Sequence, residues 1–155
     1  MSEWVNACYV LLDRPVVAGR ADEPVLVEDP VSHARLLEDV AAVAGVLRAQ
    51  GVGAGARAIV SADGRRGVTA LLAVARLGGV VGEGVLVDED SVGELGWDEA
   101  LRLGRTDPAP VADLPPSADW DGVRTAGDLA REVAALVTPL PVASLLSVLR
   151  SSLQV

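Results

Sequence analysis

Hydrophobic positions recur at helical spacing twice in the first half of the chain. Leu36, Val40, Val43 and Leu47, with Leu37, Ala41 and Ala44 beside them, form one broad apolar face. Arg35, Glu38, Asp39 and Arg48 take the other face. Ser32 supplies an N-cap and Gly51 a residue just past the C-terminus, so this stretch predicts a helix with both its ends. A turn carrying Gly51, Gly53 and Gly55 then feeds an uncharged strand, Ala58 to Val60. A second helix, Val68 to Leu77, turns Val68, Leu71, Leu72 and Ala75 inward and stops at Gly78 and Gly79. Val80 to Val87 is strand-like in its β-branched content but contains two glycines and Glu83. Helix and strand alternating this closely predict parallel strands joined by crossover helices.

The flanking segments read less regularly. Trp4 to Val17 predicts a short helix ended by Pro15, and Pro24 to Glu28 a strand ended by Asp29-Pro30. Gly96 to Gly104 forms a short helix with Trp97 and Leu101. Thr106 to Ser117 is a proline-rich arm, pinned to the body by Trp120. Thr125-Ala126-Gly127-Asp128 resembles a capping box and opens a helix to about Val137, with Leu129, Val133, Leu136 and Val137 as its stripe. A last helix runs from Val142 to Leu153 and carries Leu145, Leu146, Val148 and Leu149. These two stripes either close the domain or present a face for self-association or a protein partner. The expected fold class is α/β, a three-layer αβα sandwich. Its mostly parallel sheet has about four or five strands, built on Pro24–Glu28, Ala58–Ser61 and Val80–Val87.

Composition bounds what such a fold is for. The chain has 155 residues, enough for one domain with a real core. Within it we distinguish residues 1–87, an acidic and proline-rich connection over 88–122, and the C-terminal helices of 123–155. Half of the residues are hydrophobic and phenylalanine is absent, so the core is aliphatic. A net charge of −9 argues against nucleic acid and anionic membrane surfaces as partners. The longest uncharged run, Val133 to Leu149, is broken by Pro139 and Pro141 and reads as two packed elements rather than a span. A single cysteine, Cys8, and no leader pattern point to a cytoplasmic location.

Two stretches carry a family resemblance. GVLRAQGVGAG, a short strand and VTALLAVARLGGVV resemble the opening of the adenylate-forming enzymes, the acyl-CoA synthetase (AMP-binding) superfamily. Upstream, VNACYVLLDRPVVAGRADEPVLVEDP is similar to the lead-in segment of short-chain, acetyl- and propionyl-type synthetases, through Asn6, Ala7, Cys8, Tyr9, Leu12, Asp13 and Arg14. The resemblance covers Trp4 to Val81 and implies the N-terminal subdomain of such an enzyme, truncated. The family uses ATP, Mg and CoA to join an acid to CoA. It binds the ATP phosphates with a Ser/Thr/Gly-rich loop and completes adenylation with a catalytic lysine. No stretch like TSGTTG occurs in this sequence, and its thirteen basic residues are all arginines. No cofactor and no catalytic residue are therefore expected for the isolated chain.

Local chemistry narrows the candidates further. GVGAGAR follows a helix and precedes a strand, the reverse of a phosphate-cradling loop. It also has Ala56 where the family usually has aspartate. Ser61 to Gly67 has the correct strand-then-helix order, and there Arg65 and Arg66 stand where the family usually has proline and glutamate. These two arginines are the candidate anion site, weighed against a solvated basic corner. His33 reads as a partly exposed packing residue, Cys8 as a small buried one, and Asp88-Glu89-Asp90 as a solvated loop. No His/Cys set suggests a metal. Three functional readings follow: a catalytically inactive relative acting through protein contacts or surviving as a remnant; one part of a split acyl-CoA synthetase whose partner supplies the phosphate loop and lysine; and a binding module for a nucleotide, CoA or short acid.

Overall fold

The strand β3, Arg57–Val60, is the axis of the sheet. It lies between β4, Val80–Val81, and β5, Val85–Val87, and is parallel to both. The computed structural model describes residues 5–28 and 30–150; Trp4, Asp29 and the predicted helix end at Leu153 lie outside the described residues. Strands β6, Ser91–Val92, and β7, Leu95–Gly96, extend the sheet antiparallel beyond β5, giving the order β4-β3-β5-β6-β7. The sheet is thus mixed, with its parallel pairs around β3.

The run Val80 to Val87, expected as one strand, is two strands on opposite sides of β3. The glycines explain the crossing. A Cβ on Gly84 would sit 2.1 Å from the Arg57 carbonyl oxygen, so only glycine lets the chain pass this close over the start of β3. The expected strand at Pro24–Glu28 is also relocated. β1, Pro24–Leu26, pairs antiparallel with β2, Val31–Ser32, in a separate two-stranded sheet, and Leu26 bridges to Leu140.

Helix α2, His33–Ala49, follows β2, with the Ser32 hydroxyl accepting from the Arg35 amide at 3.1 Å and Gly51 at φ +95° beyond the end. Residues 39–47 of it are buried all round, because α3, Gly64–Leu77, and α4, Trp97–Gly104, pack on two of its sides. Close approach again needs small residues: Cβ atoms on Gly45 and Gly104 would fall 2.1 Å from the Asp107 carbonyl oxygen and 2.0 Å from that of Ala42. Helix α3 starts four residues before the predicted Val68 and ends at Gly78, φ +77°. Ala58, Val60 and Val87 face the buried side of the sheet. Arg57, Ile59 and Leu86 lie on the other side, where Leu86 is 46% exposed.

At the N-terminus a π-helical turn, Tyr9–Asp13, runs into α1, Arg14–Val17. At the other end α5, Ala126–Ala134, begins with the predicted capping box: Thr125 accepts from the Asp128 amide and Asp128 from the Thr125 amide. It stops before Leu136 and Val137, and Val137 is exposed. α6, Val142–Leu149, packs on α3. Leu129, Val133, Leu145, Leu146 and Leu149 all lie in this chain's own core. These residues of the two stripes therefore close the domain, while Leu136 and Val148 are only partly buried and Val137 is exposed. Trp120, as predicted, fixes the arm: it is buried and donates to the Leu149 carbonyl at 3.2 Å. No helix among the described residues is long and apolar enough to cross a membrane.

Candidate functional site

The β3–α3 junction, the one loop in strand-then-helix order, is where an anion was expected. A helix start leaves amides without intrahelical partners and concentrates positive potential there. Asp63 is the N-cap residue but makes no side-chain cap, and Gly64 turns the chain with φ +62°. The vacancy is filled from elsewhere in the chain. The Glu89 carboxylate accepts a hydrogen bond from the Asp63 amide. Arg150 donates to the Ala62 carbonyl at 2.9 Å and to the Asp63 carboxylate at 2.5 Å, covering the same loop. Gly67 permits this closure, since a Cβ there would meet the Ala62 carbonyl oxygen at 2.4 Å.

The two candidate arginines diverge. Arg65 reaches back to α2 and meets Asp39 at 3.2 Å. Arg66 donates to the Glu89 carbonyl at 2.6 Å and lies over the Trp97 ring, 5.3 Å from its centroid. They do not converge on a common point. The acidic run is a loop with Glu89 and Asp90 exposed, as expected, and it is ordered: Asp88 accepts from the amides of Asp90 and Ser91, which hold its carboxyl below its ordinary value, and Trp97 donates to its carbonyl at 2.7 Å. Glu89 as a cap was invisible in the sequence because cap and helix are 26 residues apart. At this loop the Asp63 amide already has a carboxylate of the chain as its partner.

Asp39, expected on the polar face of α2, is 6% exposed and ringed by arginines. Arg35 lies 3.6 Å away, Arg65 3.2 Å and Arg105 3.6 Å, with Arg105 shared with Glu38 at 3.4 Å. Its Oδ1 makes no hydrogen bond.

The matched N-terminal residues form a second polar cluster, at the far end of α3. Asn6 donates to the carbonyls of Ala75, Arg76 and Ala112 at 3.0, 3.2 and 3.0 Å, and its Oδ1 accepts from the amides of Cys8 and Tyr9. Arg76 forms a two-pronged pair with Asp13, at 3.0 and 3.1 Å, and donates to the Ala109 carbonyl at 2.7 Å. Cys8 is fully buried beside Arg76. Burial pushes its thiol up to about 12, against the pull of the Arg76 charge, so it is inert as a nucleophile. Asn6, Cys8 and Asp13, which carry the resemblance here, tie the N-terminal segment to α3 and its neighbours. His33 is likewise more deeply placed than expected. It is 1% exposed, and its Nδ1–H donates to the Glu23 carbonyl at 2.7 Å.

Comparison with known proteins shows the fold. An anthranilate CoA ligase, AuaEII, solved with anthranoyl-AMP superposes on 78% of this chain with a TM-score of 0.63 and 15% identity. A Brucella canis acyl-CoA synthetase gives 0.59 over 77% at 14% identity. The isolated N-terminal subdomain of Klebsiella oxytoca NpsA, in complex with 3-hydroxybenzoyl-AMSN, gives 0.58 over 76% at 13% identity. The fold is that of the N-terminal subdomain of acyl-CoA synthetases. In sequence, the uncharacterized protein PA3568 of Pseudomonas aeruginosa is 39% identical over 85 residues, 49% of this chain and 14% of that protein. No family model matches the chain. The chain spans 32% of the AuaEII chain and 31% of the Brucella one, so it corresponds to a part of those proteins.

Proposed function

We propose that this synthetase-like subdomain is a non-catalytic module that works through protein contacts and does not itself form an acyl adenylate. The observation that carries this reading is the β3–α3 loop, whose helix start is capped by Glu89 and covered by Arg150. The absence of any lysine in the sequence agrees with it, since the resembled chemistry depends on one. The test is ATP–pyrophosphate exchange by the purified chain with a panel of short and aromatic acids. No exchange above background is expected. Acid-dependent exchange by the chain alone would overturn the proposal.

A second reading has its own observation. The side of the sheet bearing Ile59 and Leu86 is open, and the chain corresponds to about a third of the ligases it superposes on. This favours a place in a split acyl-CoA synthetase, of the short-chain type by the N-terminal resemblance, with ATP, Mg and CoA bound by the partner chain. Recovery of a stoichiometric partner bearing a phosphate loop and lysine, with exchange activity in the pair only, distinguishes this from the first reading. A cytoplasmic location belongs with both.

A further inference from the structure

Arg14 and Arg20, with Arg57 and Arg66, belong to the minority of arginines that form no ion pair among the described residues. The protein carries 22 acidic residues against 13 arginines, and most arginines sit against a carboxylate. Among the described residues no carboxylate and no hydrogen-bond acceptor engages the guanidinium of either Arg14 or Arg20. Both line a cavity of about 230 Å³ between the N-terminal helix, the start of α2 and the end of α5. His33 and Thr138 line it too, with Val133 and Leu136 in its apolar wall, and no acidic residue does.

The positions are fixed by the backbone. Arg14 opens α1. Arg20 lies in the turn that follows, held by its amide donating to the Pro15 carbonyl at 2.8 Å and its carbonyl accepting from the Glu23 amide at 3.2 Å. His33 is anchored twice to one oxygen: its backbone amide at 3.0 Å and its Nδ1 at 2.7 Å both meet the Glu23 carbonyl. That fixes the ring and leaves Nε2, which has no protein partner among the described residues, for the cavity. A buried imidazole, a hydroxyl and two uncompensated guanidiniums converge on one cavity in a strongly acidic chain.

We infer that this cavity binds a small oxyanion of the phosphate type, either free phosphate or the phosphate group of a metabolite. Guanidinium groups match phosphate oxygens with pairs of parallel N–H donors, and such charge-assisted bonds are stronger than those between neutral groups. The site lies away from the β3–α3 loop and does not depend on the function proposed above.

Calorimetric titration of the purified chain with inorganic phosphate at constant ionic strength tests it, with acetate in parallel. The wild type is expected to show one saturable phosphate site, and acetate none. R14Q and R20Q replace exposed side chains without protein partners, so both variants are expected to melt as wild type. Each should bind phosphate about tenfold more weakly, or not at all. R48Q, which removes an exposed arginine paired with Asp107 elsewhere on the surface, should bind as wild type. Absence of saturation in the wild type overturns the inference. So does saturation by acetate in place of phosphate, undiminished binding in R14Q and R20Q, or an equal loss in R48Q.

Discussion

The two ends of α3 solve the same problem differently. At its C-terminal end Arg76 has one carboxylate, Asp13, held by two hydrogen bonds, with Asn6 and the Ala109 carbonyl completing the set. At its N-terminal end Arg65 shares Asp39 with Arg35 and Arg105, and one Asp39 oxygen is left without a hydrogen bond. The first cluster is matched one to one and buried; the second spreads one carboxylate over three cations, two of them well exposed. Charge pairing therefore fastens the N-terminal segment at one end of the helix, while at the other it mainly screens arginines from each other. A buried pair broken on one side leaves an uncompensated charge, whereas an exposed member of a shared cluster is readily replaced by water.

Substitutions rank accordingly. Arg76→Ala strands Asp13 and the Ala109 carbonyl and should lower unfolding free energy by about 3–5 kcal/mol in urea titrations. Leu71→Ala, at a position 1% exposed between the two clusters, should cost about 2–5 kcal/mol and loosen both. A near-wild-type midpoint for that variant would show that α3 is not the common support. Asp39→Asn removes the shared carboxylate from among three guanidiniums, and the expected loss is about 1–3 kcal/mol. The buried thiol beside Arg76 gives a pH signature. Its native value, raised to about 12 from 9.0, lies above the unfolded one, so above pH 9 the unfolded chain binds fewer protons than the native chain. Stability should then fall with rising pH up to about 12, this thiol contributing a slope near 1.4 kcal/mol per pH unit. C8A should show a shallower slope than wild type between those limits. The smallest effect belongs to Arg35→Ala, whose side chain is 56% exposed. A change of about 0.2–1 kcal/mol is expected there, shrinking in high salt.

What the sequence made legible follows the range of the interactions involved. Ser32, Gly51, Gly78 and the Thr125–Asp128 box act on neighbours within a few residues, and each does what its spacing predicts. The α/β class followed from the alternation of helix and strand periods. The division of Val80–Val87 around β3 did not, because it depends on how near Gly84 comes to Arg57, a contact between remote segments. The surroundings of the anion candidates were hidden for the same reason: Arg65 and Arg66 were visible, but Asp39 and the Glu89 carbonyl, which they meet, are brought in by tertiary packing. Arg14 was noticed only as a matched residue. Its lack of a partner is a property of the fold and had no signal in the sequence.

The Asn6 amide also sets a timetable. Its three acceptors are carbonyls 69, 70 and 106 residues further along the chain. During synthesis at roughly 5–20 residues per second, the side chain waits roughly 5–20 s for its last acceptor. The N-terminal segment is therefore secured by this amide only once Ala112 has been made, and α5 and α6, made later still, complete the fold.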